Sequence, residues 1–257
     1  MGRFSDGSAG DADYGAIGTG YARIRRPDPR IAAQFHAALG DARTVLNVGA
    51  GAGSYEPTDR RVTAVEPSAS MRAQRPSFLT PAVDATAETL PFDADSFDAS
   101  MASVTIHQWP NPEAGLSGMR RVTTGPVVIL TFDPHPERWW YDDYVPELLE
   151  VEATRMPSID LVAEAVGDVA EVQTVLVPND CTDGFGQAFY GRPEQLLDPE
   201  VRRAMSAWSF LEPSVVDRFV HDLSADLASG AWDAKYGSFR SLESFDVGLR
   251  LVIGRRA

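Results

Sequence analysis

The stretch Thr44 to Gly53, Thr-Val-Leu-Asn-Val-Gly-Ala-Gly-Ala-Gly, constrains this chain more than any other. A short run of strand-forming character enters three glycines at alternate positions. Glycine lets a backbone turn through positive φ and approach another group more closely than a Cβ permits. A strand that enters such a loop either makes a tight βα turn with no ligand or forms a cofactor cradle at the carboxyl end of an open parallel sheet.

The surrounding pattern fits the sheet. From Thr44 onward, β-rich apolar runs alternate with helical or turn-rich stretches, the arrangement of a parallel sheet covered on both faces. Strands are predicted at residues 44–48, 61–65, 78–83, 97–102 and 127–132, then at 172–177 and 245–253, the last alternating as a strand with one wetter face does. Helices are predicted at 28–39, which opens with Pro-Asp-Pro-Arg and ends before Gly40, and at 68–75, 112–122 and 158–166. Two segments exceed a minimal alternating sheet. Residues 133–157 are rich in Pro, Trp and Tyr, and residues 179–237 insert two helices, near 201–210 and 215–227, before the last strand. Long excursions in a compact domain are usually lids or binding loops.

A length of 257 residues suits one such domain, residues 1–257. The first ten residues carry no apolar core of a signal peptide, and no run approaches the roughly 18 apolar residues that span a bilayer, so a cytoplasmic, soluble protein is expected. The 23 Lys and Arg against 37 Asp and Glu leave a formal charge of −14, which repels phosphate backbones and argues against nucleic acid as a partner. One cysteine, Cys181, and four scattered histidines give neither a disulfide framework nor metal-ligand spacing. Cys181 has no basic neighbour in sequence and reads as a small buried hydrophobe.

The glycine loop alone leaves two adenosine cofactors open. A dinucleotide fingerprint wants Gly-x-Gly-x-x-Gly, whereas here Gly53 comes one position early and Ser54 stands in the third glycine's place. Glu66, at the end of the second strand, offers a carboxylate to vicinal ribose hydroxyls in either case. The sequence further on separates them. Asp84-Ala85 closes the third strand, and Glu88-Thr89-Leu90-Pro91-Phe92 leads through Phe97-Asp98 into the fourth. This order of motifs resembles the class I S-adenosylmethionine methyltransferases, in particular the type 11 group that includes ubiquinone and menaquinone C-methyltransferases and many natural-product enzymes.

The resemblance implies an α/β, Rossmann-like, doubly wound sheet of seven strands with the last antiparallel, plus a small helical cap at 179–237. It implies that Asn47, Gly49, Ala50, Gly51 and Gly53 pass under the methionine and ribose of S-adenosylmethionine, with Asn47 in place of the more usual Asp or Glu. Glu66 and Pro67 then meet the ribose, Met71 the adenine ring, Asp84 and Ala85 the adenine edge, and Ser103 the region of the sulfonium. Met71 fits core filler equally well. An N-terminal lid at 1–27 is implied, with Tyr14 and Tyr21 closing over the cofactor.

Methyl transfer is an in-line displacement that mainly needs alignment and exclusion of water. Where the nucleophile must lose a proton, histidine is the usual agent. His107, in Ile106-His107-Gln108-Trp109 after the fourth strand, is the candidate catalytic base, with a loop-ordering hydrogen bond as the alternative. Trp109, Trp139, Trp140, Tyr141 and Phe185 are the candidate acceptor-binding aromatics; the Trp139 to Tyr144 run would alternatively cover a dimer contact, and homo-oligomerisation stays open. No Gly-x-Ser-x-Gly elbow supports a hydrolase. The expected function is methylation of an oxygen or electron-rich carbon on a small organic metabolite. The alternative is a non-methylating S-adenosylmethionine-binding protein, a regulator or a cyclase.

Overall fold

The computed structural model describes residues 4–8, 10, 20–134 and 139–257. Tyr14 lies outside the described residues. The chain folds around a six-stranded sheet in the order β2-β1-β3-β4-β8-β5. Strands β1 (Thr44–Val48), β2 (Arg61–Val65), β3 (Ala99–Ser103) and β4 (Val127–Phe132) are parallel. Strand β8 (Leu249–Arg255) runs antiparallel to both neighbours, β4 and β5 (Val169–Thr174).

Strands β1, β2 and β4 occupy the predicted residues, but the predicted strand at 78–83 shrinks to one parallel bridge, Val65 to Val83. Pro76 and Pro81 remove backbone donors from that stretch, and Phe78 is 76% exposed, so neither ladder nor core holds it extended. The sheet therefore has six strands and a remnant rather than seven. The predicted 172–177 strand moves back to β5, an edge strand exposed along its length. The predicted 245–253 strand divides at Gly248 (φ +86), whose amide donates to Asp246 Oδ1 at 2.9 Å.

The β1, β3 and β4 side chains alternate between two cores. Val45, Met101, Val128 and Leu130 face one, with Ile31 and Phe35 of helix α2 (Pro29–Ala38). Leu46, Val48, Ala102 and Ile129 face the other, with Leu116, Met119 and Val122 of α4 (Pro112–Val122) and Val162 and Val166 of α7 (Ile159–Val166). The last two helices begin where sequence puts them because Asn111 and Ser158 accept hydrogen bonds from the amides of Ala114 and Leu161. Each fully buried aliphatic side chain contributes roughly 1.5–3 kcal/mol.

The excursion after β4 contains α5 (Tyr141–Tyr144) and α6 (Pro146–Arg155). The inserted segment leaves and returns through a two-residue antiparallel ribbon, β6 (Val177–Pro178) on β7 (Ser244–Phe245). Asn179 Nδ2 clasps its root by donating to the carbonyls of Phe239, Arg240 and Leu242. Within it, the helix predicted at 201–210 breaks into α8 (Pro199–Arg203), capped by Asp198, and a 3₁₀ turn at Ser206–Phe210. The 215–227 helix extends to α9 (Pro213–Ser229), stopped by Gly230 at φ +79, and α10 (Ala231–Tyr236) follows.

One buried carboxylate ties the insertion to the N-terminal half. Asp183, 2% exposed, accepts from Arg25 Nε at 2.6 Å and from the Tyr55 hydroxyl at 3.0 Å. Removing one member of a buried pair strands the other, at a cost of about 3–5 kcal/mol. Asp183→Ala is therefore expected to lower Tm by roughly 10 °C in a calorimetric scan; an unchanged Tm would mean that this contact does not hold the insertion down.

Candidate cofactor and acceptor site

The loop after β1 is shaped by glycines where a side chain does not fit. Gly49 and Gly51 have φ +68 and +50, and a Cβ on Gly49 would lie 2.4 Å from Thr105 Oγ1. The Gly51 amide donates to Glu66 Oε2 and the Ser68 amide to Glu66 Oε1, both at 2.8 Å. Burial pushes the Glu66 carboxyl up, opposed by those two amides and by Arg72 and Arg75. Each carboxylate oxygen keeps a further lone pair, the capacity that two vicinal hydroxyls require. Ser68 also caps the five-residue helix α3 (Ala69–Ala73), which carries the buried Met71 against the loop.

These elements enclose a cleft of about 750 Å³. Gly49, Ala50, Gly51, Glu66, Pro67 and Met71 line it from the loop and the end of β2. Ala85, Ser103, Trp109 and Tyr21 line it from the other sides. Three sequence-derived candidates stand outside it. Asn47 is fully buried beneath the loop and donates to Glu56 Oε2 at 3.0 Å, where Arg75 also pairs with Glu56 at 2.9 Å. Gly53 (φ +98) faces Leu79. Asp84 is half exposed and pairs with Arg72 at 3.3 Å.

Sequence reasoning missed several lining residues, among them Ser8, Thr86, Glu88, Val104 and Gln108. Ser8 arrives with an N-terminal strap: Asp6 Oδ2 accepts from the hydroxyls of Ser68 and Ser70, each at 2.7 Å. Burial raises the Asp6 carboxyl, but the hydrogen bonds from Ser68, Ser8 and Ser70 outweigh it and hold it at about 2. Val104 adopts φ +48, an outlier for a β-branched residue that no sequence rule anticipates.

A second cleft of about 490 Å³ shares Tyr21, Val104 and Gln108 with the first and is also lined by His107, Phe185, Arg25, Glu152 and Arg155. The Gln108 side-chain nitrogen lies 3.2 Å from His107 Nε2. Glu152 accepts from Gln187 Nε2 at 2.9 Å, and burial pushes its carboxyl up to about 7 against the opposing influence of Gln187 and Arg155. Trp139 lines a third cleft, of about 1,090 Å³. Trp140 and Tyr141 are fully buried, with Trp140 Nε1 donating to the Tyr190 carbonyl at 2.9 Å and the Tyr141 hydroxyl to the Gly186 carbonyl at 3.0 Å. Burial also pushes the Cys181 thiol up to about 12, so it stays protonated at neutral pH. Among the described residues, no group of three or more His, Cys, Asp and Glu is placed to hold a metal ion, and no helix is long and apolar enough to cross a membrane.

Known proteins resemble this chain in sequence and in fold. A family model described as a methyltransferase domain matches residues 46–127. An Anabaena variabilis protein described as a methyltransferase from an antibiotic biosynthesis pathway is 32% identical, with a TM-score of 0.82 over 90% of this chain and 98% of that one. The cyclase SpnF, which catalyses a (4+2) reaction by its description, shares the fold at a TM-score of 0.53 and 15% identity over 95% of this chain and 93% of that one. Haemonchus contortus phosphoethanolamine N-methyltransferase 2, solved with S-adenosyl-L-methionine, also shares the fold, at a TM-score of 0.53 and 15% identity over 95% of this chain and 57% of that one. No curated protein matches the chain. The glycine cradle, the buried carboxylate with spare lone pairs and the adjacent methionine fit the cofactor of these enzymes, and the chain belongs to the class I S-adenosylmethionine-dependent methyltransferases.

Proposed function

We propose that the protein transfers a methyl group to an oxygen or electron-rich carbon of a small organic metabolite of natural-product or quinone-like type, with the acceptor held in the second cleft. The observation that carries this reading is the junction itself: the glycine-lined cleft and the His107-lined cleft meet at Tyr21, Val104 and Gln108. A cofactor in the first cleft then adjoins an acceptor in the second, the proximity that displacement at a methyl carbon needs.

Bound S-adenosylmethionine supplies an activated methyl group on a sulfonium. The residues divide the remaining work. Glu66 accepts from the ribose hydroxyls while Gly51 and Ser68 hold its carboxylate in place. The Gly49 to Gly51 backbone and Pro67 support the sugar and methionine portions, Met71 and Ala85 flank the adenine, and Ser103 lines the methyl end. Tyr21 and the strap at Asp6 to Ser8 act as the lid of the 1–27 segment and exclude water. Asn47 and Gly53 act from behind the loop, Asn47 through Glu56, and Asp84 acts at the outer rim. His107 accepts the proton of the nucleophile: the Gln108 amide donates to the single lone pair of Nε2, and an acceptor hydroxyl takes that position by displacing the amide. Phe185 shapes the acceptor's wall and the 179–237 insertion caps it, while Trp109 closes the cofactor cleft beside it.

Methyl-labelled S-adenosylmethionine offered with a panel of phenols, hydroquinones and isoprenoids is expected to transfer label to at least one member; tight cofactor binding with no transfer to any would favour a non-methylating protein. Strained left-handed alanine costs on the order of 1–3 kcal/mol, so Gly49→Ala is expected to weaken S-adenosylhomocysteine binding about tenfold or more by calorimetry. Retained affinity would remove the cradle from the cofactor site. His107→Ala should lower kcat by about 10²–10⁴ with product-cofactor affinity unchanged. An unaffected kcat assigns His107 to ordering the loop.

A further inference from the structure

The clefts adjoin in series through shared walls. The first meets the second at Tyr21, Val104 and Gln108, and the second meets the third across Phe132, Met156, Glu152 and Gln187. That second boundary is two apolar side chains and one polar pair, in which Gln187 Nε2 donates to Glu152 Oε2. Beyond it the third cleft is walled by Trp139, Pro146, Leu149, Ala153 and Val247. Glu152 sits four residues after the buried Leu148 and so shares the inward face of α6. A helix that puts a carboxylate where its periodicity calls for an apolar side chain incurs a desolvation cost, and the hydrogen bond from Gln187 uses one of about four acceptor positions on that carboxylate.

We propose that Glu152 is a specificity-determining residue for the acceptor: its carboxylate accepts a hydrogen bond from a hydroxyl of the acceptor at the boundary of the second and third clefts, while an apolar arm of that molecule extends past Trp139, Leu149 and Ala153. The acceptor class that this arrangement selects is a hydroxylated ring with an apolar arm, such as an alkylated phenol. The inference rests on the second cleft being the acceptor site.

The protonation behaviour of the boundary agrees with the geometry. Burial brings the Glu152 carboxyl up to about 7, and its charge in turn adds to the burial that raises the Tyr141 hydroxyl. The charged and titratable groups around the two clefts are Arg155 on the same helix, Tyr141 on α5, Arg25, Tyr21 and His107 across the second cleft, and Asp133, Asp142 and Glu150 in the third. A carboxylate is a stronger acceptor than its acid, so preference for a hydroxyl-bearing ligand rises as pH increases through about 7.

The test uses the full chain saturated with S-adenosylhomocysteine and two probes, 5-pentylresorcinol and its dimethyl ether, with affinities measured by calorimetry between pH 5.5 and 8.5. Wild type is expected to prefer the resorcinol at least tenfold at the upper pH and less at the lower. Glu152→Leu is expected to abolish the preference, and Glu152→Gln to reduce it and flatten its pH dependence, with product-cofactor affinity unchanged in both. Equal affinity of wild type for the two probes, no binding of either, or an unaltered preference in the variants overturns the proposal; where the leucine variant does not fold, the pH profile of the glutamine variant decides. Because the readout is probe binding, failure of this inference is told apart from failure of the proposed activity, which absence of methyl transfer would show.

Discussion

The bidentate hold of Gly51 and Ser68 on Glu66 joins two turns that sequence places fifteen residues apart, at the carboxyl end of the sheet. Hydrogen bonds to a charged acceptor contribute roughly 1.5–3 kcal/mol each, more than neutral ones, and here they act on a carboxylate that burial disfavours. The backbone of the glycine loop, the cap of α3 and the orientation of the carboxylate therefore depend on one another. Distorting the loop frees a buried carboxylate, and losing the carboxylate leaves the Gly51 amide without its acceptor. The cofactor site is rigid because its parts satisfy one another before any ligand arrives.

Beneath this layer, a second ionic contact supports the loop. Asn47 is a neutral amide, and the carboxylate below the turn comes from Glu56, which accepts from both Asn47 and Arg75. Arg75 is 3% and Glu56 1% exposed at the side chain, so their pairing happens out of water, where a lone charge would be expensive. An acid at position 47 would set two carboxylates against one guanidinium. The neutral amide is the consistent partner for this arrangement.

The legible parts of the chain are those in which local pattern and tertiary environment agree. Strands β1, β2 and β4 and helix α4 could be bounded from sequence because their apolar runs are bordered by caps or turns and are buried as the pattern requires. Residues 78–83 misled because prolines were outweighed by apolar content. Helix α6 was not anticipated because Glu152 interrupts its inward stripe and the flanking Trp and Tyr residues suggested a binding loop. The loop and strand-end part of the first cleft was readable from one contiguous region, since a βα turn and the ends of adjacent strands meet in any such sheet. The acceptor side was only partly readable: His107 and Phe185 stood out by residue type, whereas Glu152 and Gln187 meet only through the packing of the excursion against the insertion. Val104's positive φ has no signature in residue type at all.

This division follows from topology. The floor of the first cleft comes from strand ends and the loops that follow them, whose relative positions are set by the ladder hydrogen bonds of the sheet. The second cleft's walls come in large part from α6, the insertion and the N-terminal helix α1 (Tyr21–Ile24) with Arg25, three segments that no strand pairing in the main sheet connects. What brings them together is one isolated backbone bridge, Arg25 with Asp183, and a set of side-chain contacts: Arg25 and Tyr55 on Asp183, Thr182 on Asp28, Gln187 on Glu152, and Trp140 on the Tyr190 carbonyl. Each of these contacts joins residues of the insertion to a segment before it in the chain. The shape of the second cleft thus depends on long-range polar pairing laid over the sheet, whereas the glycine-lined cleft takes most of its shape from the strand ends themselves.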